Sequence, residues 1–114
     1  MPIPSSLMLA VDRQLTKYCA AKIPADFADK VRLTYETKGT AITLIEERPG
    51  FDHPEVWVGT PIARFRYNLE AGLWMLYWAD RNLKWHRYEG VGPARTLGPL
   101  LREVDEDPTG IFWG

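Results

Sequence analysis

The sequence holds one cysteine, two histidines, no long apolar run and almost no net charge, and each shortage closes off a class of function. A lone Cys19 cannot form an intramolecular disulfide or build a multi-cysteine zinc site, which points to a reducing compartment. His53 and His86 are too few, and too irregularly placed, for a transition-metal site, so no metal or other cofactor is expected. A membrane-spanning helix needs roughly 18 consecutive apolar residues, and nothing here approaches that. Met1-Pro2-Ile3-Pro4 lacks the basic segment and apolar stretch of a signal peptide, so the expected address is the cytoplasm, with no membrane association. A formal net charge of -1 leaves no global field to recruit a polyanion. Any nucleic-acid role therefore needs a local basic patch.

What is present fits one ordinary folded domain over residues 1–114, with 46% hydrophobic, 25% charged and 12% aromatic residues, five of them tryptophan. Behind Ser5 and Ser6, the residues Met8, Val11, Leu15, Tyr18 and Lys22 recur at helical spacing, predicting an amphipathic helix that ends near Ile23-Pro24. Cys19 lies beside that stripe as a small buried hydrophobe without an activating base. From Val31 the period becomes two, and Lys38-Gly39-Thr40 turns the chain into the β-branched stretch 41–47, predicting a hairpin. The proline-bounded segment 48–55 reads as a loop. Strand-like runs follow at 56–58, 62–67, 73–78 and 83–88, with Pro61 marking a bend or strand edge. Their short joins demand antiparallel neighbours. A short helix is expected from Gly98 to Val104, stopped by Asp107-Pro108-Thr109-Gly110, before an apolar tail, Ile111-Phe112-Trp113. The fold class is therefore α+β: an N-terminal helix on a curled antiparallel β-meander of five or six strands, closed by a short C-terminal helix and tail.

Several stretches are distinctive: Leu44-Ile45-Glu46-Glu47-Arg48-Pro49, then Arg66-Tyr67, then the run from Leu73 to Tyr88 around Trp74, Trp78 and Trp85, and finally Asp107 through Gly114. Together they resemble a small bacterial family known as domain of unknown function 3024, over nearly the whole chain. The resemblance implies a short bacterial protein with a tryptophan-rich central motif and a Phe112-Trp113-Gly114 ending. It transfers no catalytic residue.

A tight turn at residues 79–82 pairs positions that sum to 163, so Tyr77 is expected opposite His86 and Trp78 opposite Trp85. Extended through the join at 68–72, the same alternation puts Phe65, Tyr67, Met75, Tyr77, His86 and Tyr88 on one face. Arg64, Arg66, Trp74, Trp78, Trp85 and Arg87 then share the other. Residues 61–95 hold six basic side chains, Arg81, Lys84 and Arg95 among them, against three acidic ones. Guanidinium groups alternating with indoles can stack bases and pair with phosphates, so Arg64, Arg66, Trp74, Trp78, Arg81, Lys84, Trp85 and Arg87 form the candidate binding set. Arg over Trp is equally an intramolecular arrangement, and the indoles can instead be roofed by the C-terminal helix and tail.

His86 is the catalytic candidate, the one central side chain suited to proton transfer, with Asp80, Glu46 and Glu47 as candidate acidic partners. Its bland alternative is a cross-strand partner of Tyr77. Asp80-Arg81-Asn82 is explained by turn chemistry, and Gly90-Val91-Gly92-Pro93 is no phosphate cradle. Three functional classes stay open. The first is a non-enzymatic module binding single-stranded nucleic acid, a nucleotide-like ligand or a protein. The second is a small hydrolase or nuclease using His86. The third is a regulatory or self-associating (homo-oligomeric) subunit anchored by Phe51, Trp57 or Trp113.

Overall fold

The computed structural model describes residues 2–113; Met1 and the final glycine of the Phe112-Trp113-Gly114 ending lie outside the described residues. Helix α1 spans Ser5–Lys22, with Pro4 rather than a serine at its N-cap, so Ser5 and Ser6 are its first residues. Pro24 ends it, having no N–H to continue the ladder. One 3-10 turn, Ala25–Phe27, then leads into the sheet.

Five strands follow in chain order, β1 Arg32–Lys38, β2 Ala41–Pro49, β3 Trp57–Asn68, β4 Leu73–Ala79 and β5 Trp85–Arg87, and their spatial order is the same. Every neighbouring pair is antiparallel. Gly39 supplies the positive φ of 61° in the two-residue β1–β2 turn. Apart from Val56, the runs at 56–58 and 62–67 are parts of one twelve-residue strand, bent by a bulge where the β2 partner shifts between Leu44 and Ile45. Pro61 is tolerated because only Arg64–Asn68 pair with β4, leaving the first half of β3 as an edge. Helix α2, Gly98–Glu106, ends at Asp107 in the left-handed conformation.

Both helices lie on one face of the sheet. Val11 and Leu15 of α1 and Leu100, Leu101 and Val104 of α2 pack with Ile42, Leu44, Ala63, Phe65, Trp74 and Leu76. The chain ends are also tied together: Lys22 Nζ donates to Asp105 Oδ1 at 2.9 Å, and Tyr18 Oη to the same oxygen. That ion pair is partly exposed and contributes at most about 1 kcal/mol. Asp107 accepts the backbone N–H groups of Phe112 and Trp113, and the Trp113 indole donates to Val104 O, so the tail is docked. Among the described residues no helix is long and apolar enough to cross a membrane.

Two one-residue differences reset the expected faces. The β3–β4 join begins one residue later, with Asn68 still paired to Leu73, because the Asn68 side chain caps the loop by accepting from Glu70 and Ala71 N–H. The β4–β5 turn holds three residues instead of two: Asp80 N–H donates to Lys84 O, Leu83 N–H to Asp80 O, and Leu83 takes φ 61°. That is a type I turn followed by a left-handed residue. Trp78 therefore faces His86, and Tyr77 faces Arg87. Each slip flips a strand, so β4 turns over relative to β3 and β5 turns back. Trp74 and Trp78 leave the arginine face, Met75 and Tyr77 join it, and Trp85 and Arg87 stay.

Candidate functional site: an uncovered sheet face

With the helices on one side, the opposite face carries no secondary-structure element among the described residues. Register places Arg32, Glu36 and Lys38 of β1, Thr43, Ile45 and Glu47 of β2, Trp57, Arg64 and Arg66 of β3, Tyr77 of β4, and Trp85 and Arg87 of β5 on it. Five cationic side chains against two acidic ones give this face a positive balance that the whole chain lacks. Three guanidinium groups lie over aromatic rings: Arg32 over Trp57 at 3.5 Å, Arg64 over Trp85 at 4.4 Å and Arg66 over Tyr77 at 4.7 Å. A guanidinium stacked this way keeps its N–H edge free for an acceptor, and each stack contributes about 0.5–1 kcal/mol at an exposed position.

Arg64 is the most constrained of the three. Its Nε–H donates to Thr43 Oγ1 at 2.9 Å, and Thr43 is the buried polar residue beneath it, 7% exposed. Burial, then the neighbouring Arg66, lowers its pKa, while Glu36 acts in the opposite sense. It forms no ion pair among the described residues. On one side of it a groove of ≈ 350 Å³ is lined by Ile45, Glu47, Gly59, Pro61, Leu83 and Trp85. On the other, a second of ≈ 400 Å³ is lined by Lys38 and Ala41. Glu36, Thr43 and Arg64 border both.

The candidates named from the sequence divide as follows. Arg64, Arg66, Trp85 and Arg87 lie together on the open face. Arg81 and Lys84 are exposed at the β4–β5 turn beside it. Trp74 is fully buried in the core, its ring 4.9 Å from Tyr67 and its Nε1 without a hydrogen-bond partner. Trp78 faces the helix side, half-buried and stacked on His86 at 4.8 Å. Sequence reasoning missed Arg32, Lys38 and Tyr77, and it named Trp57 as an anchor for a partner without joining it to the arginines. The two-residue turn at Gly39-Thr40 could have put Arg32 and Lys38 on one face, but the bulged β2–β3 pairing that joins them to the arginines has no signature in the sequence.

His86 does meet Asp80, at 2.7 Å between Nε2 and Oδ2. The other Asp80 oxygen accepts the N–H groups of Asn82 and Lys84, so this carboxylate closes the turn. His86, and then the Lys84 N–H, hold the Asp80 carboxyl below its ordinary value. A carboxyl depressed in the fold contributes stability fully above its unfolded pKa, about 3.9, and loses it as pH falls through the lower folded value. Wild type and Asp80→Asn are thus expected to differ in thermal midpoint at neutral pH and to converge as the solution is acidified below about pH 4. A gap that persists at acid pH would show that the charge on Asp80 does not brace the turn.

Other candidates are inert or dispersed. Burial pushes the Cys19 thiol up to about 11, so it is protonated at neutral pH. No group of three His, Cys, Asp or Glu side chains able to hold a metal occurs among the described residues. Phe51 is fully exposed, whereas Trp57 and Trp113 are half-covered, Trp113 by the Lys22 ammonium at 4.9 Å.

No curated protein and no solved structure matches this chain. A family model described as "Domain of unknown function (DUF3024)" matches residues 4–114, and the chain belongs to that family.

Proposed function

We propose that the uncovered sheet face binds single-stranded nucleic acid. One observation carries this: three guanidinium–aromatic stacks and a cationic excess share the face that no helix covers. Aromatic side chains on an open sheet offer platforms to bases of any sequence, each stacked base contributing about 1–3 kcal/mol, while free guanidinium edges pair with phosphates. A duplex would present its bases edge-on and leave the rings unused, so the single strand is the form this surface fits. The same reading puts the protein in a bacterial cytoplasm, supported by its single unpaired Cys19.

Hydrolysis centred on His86 is less well supported. His86 stacks on Trp78, on the helix side of the sheet, and its carboxylate partner is committed to the turn.

Titrating a labelled thymidine oligomer by fluorescence anisotropy tests the proposal. Three or four phosphate contacts on a single strand give a slope of log affinity against log salt of about -2 to -3. Quenching of indole emission should accompany binding, since bases stack beside Trp57 and Trp85. Absence of binding, or an affinity indifferent to salt, would remove the nucleic-acid reading.

A further inference from the structure

The groove between Arg64 and the β4–β5 turn does not suit a phosphate. Glu36 and Glu47 both line it, neither forms an ion pair among the described residues, and together they outnumber Arg64. A purely cationic ligand would be repelled by Arg64 in turn. The remaining lining is flat or apolar: the Trp85 indole, Leu83, Ile45, Pro61 and Gly59. At ≈ 350 Å³ the groove is near the small end of ligand sites, which run from about 300 to 1,000 Å³. It therefore fits a small planar group with separate acceptor and donor edges.

Leu83, left-handed because the three-residue turn requires that conformation there, forms the wall of the groove on the β4–β5 side. It holds a left-handed conformation that costs a leucine about 1–2 kcal/mol, where glycine would be at ease. Its side chain gains no core packing there, being 63% exposed at the groove wall.

Resting on the nucleic-acid reading of the face, the geometry points to a guanine-selective base pocket, with Arg64 and Glu36 as its specificity residues and Trp85 as its stacking wall. Guanine presents two adjacent acceptors, O6 and N7, that match a guanidinium fork. Beside them lie two adjacent donors, N1–H and the N2 amino group, that match a carboxylate. Adenine and cytosine each have one donor group to offer. Thymine and uracil flank their single N–H with carbonyls that a carboxylate repels. Arg64 is pre-set for this task, since Thr43 holds its Nε and Trp85 its face, leaving the Nη donors for the base. Phosphates on either side of the base would then fall to Arg66, Arg87 and Arg32 outside the groove.

Anisotropy competition with thymidine nonamers carrying one central guanine, adenine, cytosine or thymine tests this directly. The guanine oligomer should bind about tenfold tighter than all-thymidine, as one bidentate base contact permits. Inosine in place of guanine, which lacks only the N2 amino group, should lose most of that ratio. In Glu36→Gln the ratio should fall towards one. Equal affinity for all four oligomers, with salt-dependent binding intact, would overturn the base pocket and leave the nucleic-acid reading standing. A guanine preference unchanged by both inosine and Glu36→Gln would place the preference elsewhere and also overturn it. No binding of any oligomer would sink the pocket and the nucleic-acid reading together.

Discussion

Reversing Arg66 and Arg87 together to glutamate is expected to weaken binding of a thymidine oligomer on the order of a hundredfold at low salt. Both side chains are exposed on the uncovered face, Arg66 over Tyr77 and Arg87 opposite Tyr77 in register. The double change removes two phosphate contacts and sets two carboxylates in their place, so attraction becomes repulsion at both points. The salt dependence should become shallower as well, by about 1.4 in slope, since each lost contact on a single strand removes about 0.7. Exposed substitutions of this kind usually move stability by no more than about 0.5 kcal/mol. An unchanged thermal midpoint would therefore separate lost binding from lost folding. Retained affinity in a folded double variant would mean that phosphates do not lie on this part of the face.

Replacing Trp74 by alanine should have the largest effect on the fold. The side chain is fully buried between Tyr67 and the helix layer, and truncating an aromatic of this size in a core costs about 3–5 kcal/mol. Small domains hold only about 5–15 kcal/mol in total, so the variant should be close to unfolded by urea titration. Trp74→Phe leaves a smaller void and also removes an indole N–H that has no partner, so it should fold with a reduced midpoint. Its oligonucleotide affinity should equal that of the wild type. A marked loss of affinity in folded Trp74→Phe would return Trp74 to the binding surface.

Trp74 also shows where sequence reasoning stops. Element types and order were legible from periodicity, Gly39 and Pro24, and the sequential antiparallel meander followed from short joins. Which face a given strand residue takes was not, because it depends on whether a join holds an odd or even number of residues. Asn68 stayed in β3 because its own side chain could cap the loop, and Leu83 entered the left-handed region despite being a leucine. Neither choice is favoured by residue type alone. The two displacements cancelled across β5, so Trp85 and Arg87 were placed correctly by compensation, while β4 was turned over. The part of the site on β1 and β2 was hidden for a different reason. Residues 41–45 are apolar apart from Thr43, so alternation does not reveal a face there.

Strand order equal to chain order has a kinetic side. Each hairpin of the meander closes over a few residues, so loop-closure entropy is small and the sheet can zip from any of its turns. Joining the two ends is different: Lys22 and Asp105 are separated by 83 positions, and α1 and α2 reach their shared layer only when the sheet between them exists. The helices then belong to the last stage of folding and the first stage of opening. Transient release of α1 would bare Leu44 and Phe65 while β4, β5 and their turn keep the open face in shape. Amide exchange should therefore run faster in α1 than in the middle of β3, with the open face outlasting the layer that buries the core.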